Sequence, residues 1–173
     1  MLKGNKIVLR PVELKDVDVL FHWENDPKNW LVSNTLTPFS KFFLEQYVMG
    51  AQNNIYADHQ LRLIVEDKEG KACGALDLFD FEPHHRRAAI GILIEENSRG
   101  KGFAGEALEL VCNYARNILN LHQLYCTIDE DNEKSMKLFG KLGFQVTGKR
   151  EHWTWREGKW IDEYFLQLIL KAD

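Results

Sequence analysis

Apolar positions along the chain follow two periods, and the change from one to the other organises the reading. Ile7-Val8-Leu9 makes a short strand that Pro11 ends or places at an edge, and from Glu13 to Trp23 the apolar residues Val17, Leu20, Phe21 and Trp23 recur at helical spacing. Asn25-Asp26-Pro27 stops that helix, because the residue before a proline disfavours the α region. A second helix is expected from Ser40 to Met49, with Phe43, Leu44, Tyr47 and Val48 on its buried face. Between them, Lys28 to Phe39 shows no period and reads either as an irregular loop laid on the core or as a substrate-contacting wall.

From Leu61 the pattern becomes that of strands. Leu61 to Glu66 and Ala72 to Phe79 flank the turn Asp67-Lys68-Glu69-Gly70-Lys71, and His84 to Ile94 follows a second turn at Pro83, which gives an antiparallel meander. Within it Ile90-Gly91-Ile92-Leu93-Ile94 is a buried run. A glycine-rich turn, Arg99 to Gly105, then leads into an amphipathic helix ending near Leu119. Gln123 to Asp129 is expected to run parallel to Ile90–Ile94, since a strand-helix-strand crossover returns the chain in the same sense. Asn132 to Leu142 reads as a short helix with Met136, Phe139 and Leu142 inward and Gly143 just past its end. A hairpin of Gln145 to Trp155 and Trp160 to Leu170 closes the chain, with alternation at Tyr164, Leu166, Leu168 and Leu170.

The 173 residues are expected to form a single α/β domain, 1–173, with ordinary hydrophobic (45%) and charged (28%) fractions that argue against disorder. No apolar run approaches the roughly 20 residues of a membrane span, and Met1-Leu2-Lys3-Gly4-Asn5 begins no signal peptide, so a cytoplasmic protein is expected. Cys73, Cys112 and Cys126 are odd in number and lack CxxC spacing, which points to buried reduced thiols. A formal charge of −4 argues mildly against a nucleic-acid surface and suits a cationic partner.

The glycine turn changes the picture most. Strand, glycine turn and helix together make an anion site, because Gly100, Gly102 and Gly105 let the backbone approach a ligand and the first helical amides have no partners inside the helix. Arg99 and Lys101 add charge where the helix dipole is already positive. A phosphate-binding P-loop fails, since Gly105 is followed by Glu106 and Ala107 rather than Lys and Ser or Thr. A dinucleotide fingerprint matches Gly100-Lys101-Gly102-Phe103-Ala104-Gly105, with Asp129 beyond it. It ranks second, because Glu95 to Arg99 separate the strand from the first glycine and too little chain follows for the remaining parallel strands.

The third reading is a resemblance. Arg99-Gly100-Lys101-Gly102-Phe103-Ala104 resembles the Arg/Gln-x-x-Gly-x-Gly/Ala signature of the GNAT superfamily of acetyl-CoA-dependent N-acetyltransferases. Asp131-Asn132-Glu133-Lys134-Ser135 and Lys141-Leu142-Gly143-Phe144 are spaced as in that family, and Leu9-Arg10-Pro11 is similar to its first strand. The likeness is strongest to the branch of spermidine and ribosomal-protein N-terminal acetyltransferases. It implies a mixed sheet, mostly antiparallel, flanked by helices and containing one splayed parallel pair whose gap takes the pantetheine arm of acetyl-CoA. It also implies backbone contacts to that arm from Ile92, Leu93 and Ile94, a diphosphate on the amides of Arg99, Gly100, Lys101, Gly102, Phe103, Ala104 and Gly105, and side-chain contacts from Asn132 and Ser135. Asn132 and Ser135 are also read as groups that bond their own helix backbone.

Acetyl transfer to a primary amine requires removal of a proton from an ammonium of pKa near 10.4, so a base is expected. Asp77, among Leu76, Leu78, Phe79 and Phe81, is the favoured acid for binding or deprotonating the amine, and related spermidine acetyltransferases carry an acid there; an exposed strand carboxylate is the alternative. Where many family members have a tyrosine proposed to protonate the leaving thiolate, this chain has Phe139; Tyr125 or Tyr164 would replace it, or the thiolate, with a pKa of about 8.5 by analogy with cysteine, leaves unassisted. The loop that is acidic in the spermidine enzymes is here the neutral Trp30-Leu31-Val32-Ser33-Asn34-Thr35. Trp153, Trp155 and Trp160 read as sheet-face or dimer-contact aromatics, or as a cation-holding wall. Asp162 resembles a family position. His84 and His85, neighbours on a strand, are expected to point apart and hold no metal. The expected partners are acetyl-CoA and an amine, either a polyamine-like molecule or a protein N-terminus, with a homo-oligomer left open. A CoA-binding sensor without turnover is the rival class.

Overall fold

The computed structural model describes residues 1–33, 35–50 and 54–170, with the side chains of Leu31 and Val32 left aside. Among these residues the chain forms one eight-stranded sheet in the order β1-β2-β3-β4-β5-β6-β8-β7. The strands are β1 (Leu2–Lys3), β2 (Ile7–Pro11), β3 (Leu61–Asp67), β4 (Ala72–Glu82), β5 (Arg87–Ile94), β6 (Gln123–Asp129), β7 (Gln145–Arg156) and β8 (Lys159–Ile169). Every neighbouring pair is antiparallel except β5 with β6. A single parallel pair excludes the doubly wound sheet that the dinucleotide reading needs.

Helices cover both faces. On one lies α5 (Phe103–Asn117) with α6 (Glu133–Lys141), and the inward side chains of β4, β5, β6 and β8, including Leu76, Leu78, Ile90, Leu124 and Leu166, pack against Phe103, Leu108, Val111 and Phe139. On the other lie α1 (Val17–Glu24) and α3 (Lys41–Gly50), whose Leu20, Trp23, Leu44 and Val48 meet Ile64 and Ala75. Strand alternation therefore sends Ile90, Ile92 and Ile94 to the α5 face and Leu93 to the α1 face. No helix is long and apolar enough to cross a membrane.

Some expectations change, and one further helix appears. Pro27–Ser33 is a helix, α2, not an irregular loop: the Asp26 carboxylate accepts from the Lys28 amide at 2.9 Å, and Pro27 occupies the first helical position. The Asp-Pro pair that ends α1 also begins its neighbour. Ile55–Asp58 is a further short helix, α4, capped by the Asn54 side chain at 3.1 Å. The β4–β5 turn lies three residues later than expected, since β4 runs on to Glu82 and β5 begins at Arg87; His84 and His85 lie in this turn, so their rings do not point apart but meet edge to face at 4.9 Å. Of the neutral segment 30–35, Asn34 and the side chains of Leu31 and Val32 fall outside the described residues.

Candidate functional site

The parallel pair positions everything else. It has only three rungs, Arg87 with Gln123, Ala88 with Leu124 and Ala89 with Tyr125. Beyond them each strand stays paired on its other side, β5 to β4 as far as Ile94 and β6 to β8 as far as Asp129. The strands therefore fork, and the inner edges of Ile90–Ile94 and Cys126–Asp129 can pair with an extended polar chain as with an added strand. The cavity in the fork is lined by Ile90, Gly91 and Ile92, by Cys126 to Asp129, by Asn132, Ser135 and Phe139 of α6, and by Glu163 of β8. Outward it continues along Ile92, Leu93 and Ile94 to Arg99 and Ala104, past the cations Lys28 and Lys134. On the α1 face Cys126 and Thr127 are shared with a second recess walled by Phe79, Tyr125 and Phe165. The fork cavity and this recess thus adjoin at Cys126 and Thr127.

At the outer mouth the sequence builds an anion cradle. Gly100 and Gly102 take φ of 79° and 84°, a region that side chains disfavour, and Gly102 stands as the N-cap of α5 without any side-chain cap. The first amide to close a helical turn is that of Glu106, onto the Gly102 carbonyl at 3.2 Å, so the amides of Phe103, Ala104 and Gly105 precede the helical ladder. Phe103 itself is buried and packs into the core beneath α5, while Gly102, Ala104 and Gly105 line the surface grooves on either side. Arg99 is fixed by donating to the Ile94 carbonyl at 2.9 Å. Lys6, which the sequence reading missed, donates to the Lys101 carbonyl at 3.1 Å and brings a further cation to the turn. Its placement depends on the Glu106 carboxylate, which accepts from the Asn5 and Lys6 amides across about 100 residues of chain.

On α6, Asn132 is the N-cap and its side-chain oxygen accepts from the Ser135 amide at 3.2 Å. Asn132 and Ser135 both line the fork and the outer groove, so capping holds them where a bound arm would pass. Phe139, one turn further, is 4% exposed and packs edge-on against Phe144 at 5.0 Å.

Asp77 stands across from Gly91, on the α1 face. Both its oxygens are engaged by Arg62, Oδ1 from Nε at 2.7 Å and Oδ2 from Nη2 at 2.9 Å, while Nη1 of Arg62 donates to Glu24 at 2.6 Å. Burial works to lower the pKa of Arg62, but the Asp77 and Glu24 carboxylates hold it well above its ordinary value, so one cation faces two anions. Tyr47 lies 5.7 Å from the same guanidinium, its phenol pushed up mainly by burial against the pull of Arg62. Tyr125 stacks on Phe165 at 5.4 Å, and its phenol is raised by burial and by Asp80. Tyr164 faces the α5 side beneath Lys149, whose ammonium is 5.6 Å from its ring centroid; its neighbour Glu163, on the opposite face, is the β8 residue that lines the fork. Asp162 accepts from Lys149 at 2.6 Å and from the His152 amide at 2.8 Å, and lies below the usual carboxylate range through these bonds. Trp153, Trp155 and Trp160 are more than half exposed on the terminal hairpin.

The family model described as Acetyltransferase (GNAT) domain matches residues 6–145. A spermidine N(1)-acetyltransferase of Escherichia coli (strain K12) is 30% identical over 155 residues, spanning 88% of this chain and 80% of that protein. An uncharacterized N-acetyltransferase of Bacillus licheniformis is 29% identical over 171 residues, spanning 97% and 95%. Among solved structures, spermidine N-acetyltransferase from Vibrio cholerae in complex with CoA and spermine superimposes with a TM-score of 0.88 at 24% identity, over 96% of this chain and 97% of that one.

Proposed function

The chain belongs to the GNAT acetyltransferase family and is an N-acetyltransferase, and from that premise we propose that it transfers acetyl from acetyl-CoA to a primary amine by direct attack in a ternary complex. The observation that carries this reading is the three-rung parallel pair opening into a fork, with a glycine-capped helix at its mouth. The donor supplies an activated thioester; the chain supplies everything that aligns it. Amides from Gly100 to Gly105 and the Arg99 guanidinium bind the diphosphate, and the inner edge of Ile92, Leu93 and Ile94 pairs with the amide-bearing arm. Asn132 and Ser135 hold the arm from the α6 side, and Phe139 closes the fork against water.

The acceptor enters from the α1 face. There Glu24, Arg62 and Asp77 together carry one net negative charge that draws in an ammonium, and the aromatic recess of Phe79, Tyr125 and Phe165 receives its hydrocarbon. Phe139 has no proton to donate, and neither Tyr125 nor Tyr164 is among the residues lining the fork cavity, so the thiolate leaves unassisted, as a pKa of about 8.5 allows. The similarity to spermidine acetyltransferases supports a polyamine-like acceptor over a protein N-terminus. Incubation of the protein with acetyl-CoA and a panel of polyamines, monoamines and N-terminal peptides, while following free thiol, tests this. Polyamines should release thiol fastest, with initial-rate plots that intersect. Acetyl-CoA binding without thiol release from any acceptor would instead identify a CoA sensor.

A further inference from the structure

Glu163 is one of four buried polar or charged residues in the described core, with Arg10, Asp16 and Ser98, and of these it alone lines the fork cavity. Arg10 and Asp16 satisfy each other at 2.7 Å, and neither lines the fork or its outer groove. Glu163 is differently placed. Its Oε1 accepts from Nη1 of Arg150 at 2.8 Å, whereas among the described residues Oε2 accepts no hydrogen bond and is not sealed from the cavity. A buried carboxylate that lines a cavity and is held by one oxygen only leaves the other to accept from a guest that donates N–H. Asp77 offers no such oxygen, since both of its own are committed to Arg62.

We infer that Glu163 receives the proton of the acceptor nitrogen in the fork, with Arg150 as the residue that positions it. This rests on the acetyl-transfer reading above and extends it to a group that reading leaves idle. The acceptor's ammonium gives one proton to Oε2, leaving a free amine and a neutral carboxylic acid. The nitrogen lone pair then forms the N–C bond to the thioester carbonyl carbon as the C–S bond breaks, and sulfur departs with that electron pair. The second nitrogen proton ends on the thiolate, and the proton on Glu163 passes to solvent, so amide, thiol and one proton leave. The neighbours suit this role. Asp129, across the strand pair, bonds Arg156 and accepts from Thr154 at 3.1 Å, and because Arg156 also bonds Asp131 the group keeps one net negative charge beside Glu163, which favours a protonated carboxyl there; the Cys126 thiol, pushed up to about 12 by burial, stays uncharged; and α6 contributes only the neutral Asn132, Ser135 and Phe139 to the cavity.

The test measures thiol release from acetyl-CoA with spermidine, putrescine and a short peptide bearing a free N-terminus, in wild type and Glu163→Gln. Near pH 7 the variant should lose about 100-fold in kcat/KM, the contribution usual for a positioned base. Near pH 10 the amine, with a pKa of about 10.4, is already partly free, and the deficit should shrink to about tenfold or less. Acetyl-CoA affinity should not change. A purely structural role would cost the same at both pH values, and that result, or a wild-type rate near pH 7, would overturn the assignment. Wild type that acetylates no member of the panel overturns the acetyl-transfer reading itself, and with it this role, before any variant is compared. Should Glu163→Gln fail to bind acetyl-CoA, Glu163→Asp decides. It is expected to be about tenfold slower near pH 7, and an unimpaired rate would show that the carboxylate's reach into the fork is irrelevant.

Discussion

Gly102 holds a left-handed conformation at the start of α5, and an L side chain there costs roughly 1–2 kcal/mol of strain. An added Cβ would meet only the flexible end of Lys6, at 3.1 Å, so the fold should tolerate it. Gly102→Asp is therefore expected to fold but to bind acetyl-CoA at least about tenfold more weakly by calorimetry, because a carboxylate replaces open space where phosphate oxygens meet helix amides; unchanged affinity would count against the site. Asp77→Asn should lower kcat/KM for the acceptor about tenfold, mostly through KM, while leaving acetyl-CoA affinity alone, since it weakens the anionic cluster and not the cradle, and a wild-type kcat/KM would remove Asp77 from acceptor binding. These residues could be singled out from the sequence because their signals are local: glycine spacing for one, a lone acid in an apolar strand for the other. Glu163 could not. Alternation on β8 reads Tyr164, Leu166 and Leu168 as inward, and Glu163 is buried only because Arg150 on β7 and the gap beside β6 lie next to it.

Among the elements, the segment from β2 into α1 is locked by charge. Arg10, at the end of β2, donates to both oxygens of Asp16 at 2.7 and 2.8 Å and also bonds Glu66 of β3, while Asp16 accepts from the Glu13 amide at 2.8 Å. Asp16 is 2% exposed and Arg10 5%, so Asp16→Ala would leave a buried guanidinium with Glu66 as its remaining carboxylate partner and should cost about 3 kcal/mol in urea unfolding, the low end for breaking a buried pair. Burial alone would raise the Asp16 pKa, but the Arg10 and Glu13 bonds outweigh it and hold it below the ordinary carboxylate value. A depressed folded pKa stabilises fully above the unfolded value of about 3.9, and that contribution is lost as pH falls through the folded one. Urea midpoints followed from about pH 5 downward should therefore fall in wild type and stay flatter in Asp16→Asn. Periodicity located the long elements well. It missed α2, because the Asp26-Pro27 pair that ends one helix carries the same chemistry that begins another.

For the whole molecule, the mixed sheet was legible because the crossover from β5 through α5 forces β6 to run parallel, and right-handed connection leaves few other arrangements. The order β6-β8-β7 was not, since a terminal hairpin can add to a sheet by either strand and only the match of Leu124, Cys126 and Ile128 to Leu166 and Leu168 on one buried face selects it. That sheet is in effect two plates, β1 to β5 and β6 with β8 and β7, hinged on three residue pairs. Acetyl-CoA would act on them as a splint, bonding to one plate along the gap and bracing the other through α6. Empty and loaded protein should therefore differ in stiffness more than in shape. Donor at about 100 times its dissociation constant should add about 2.7 kcal/mol to unfolding, and amide exchange should slow along Ile92 to Ile94 before it slows in α1 or α3. Equal protection with and without donor would mean that the hinge is already rigid, and that the molecule needs no ligand to set it.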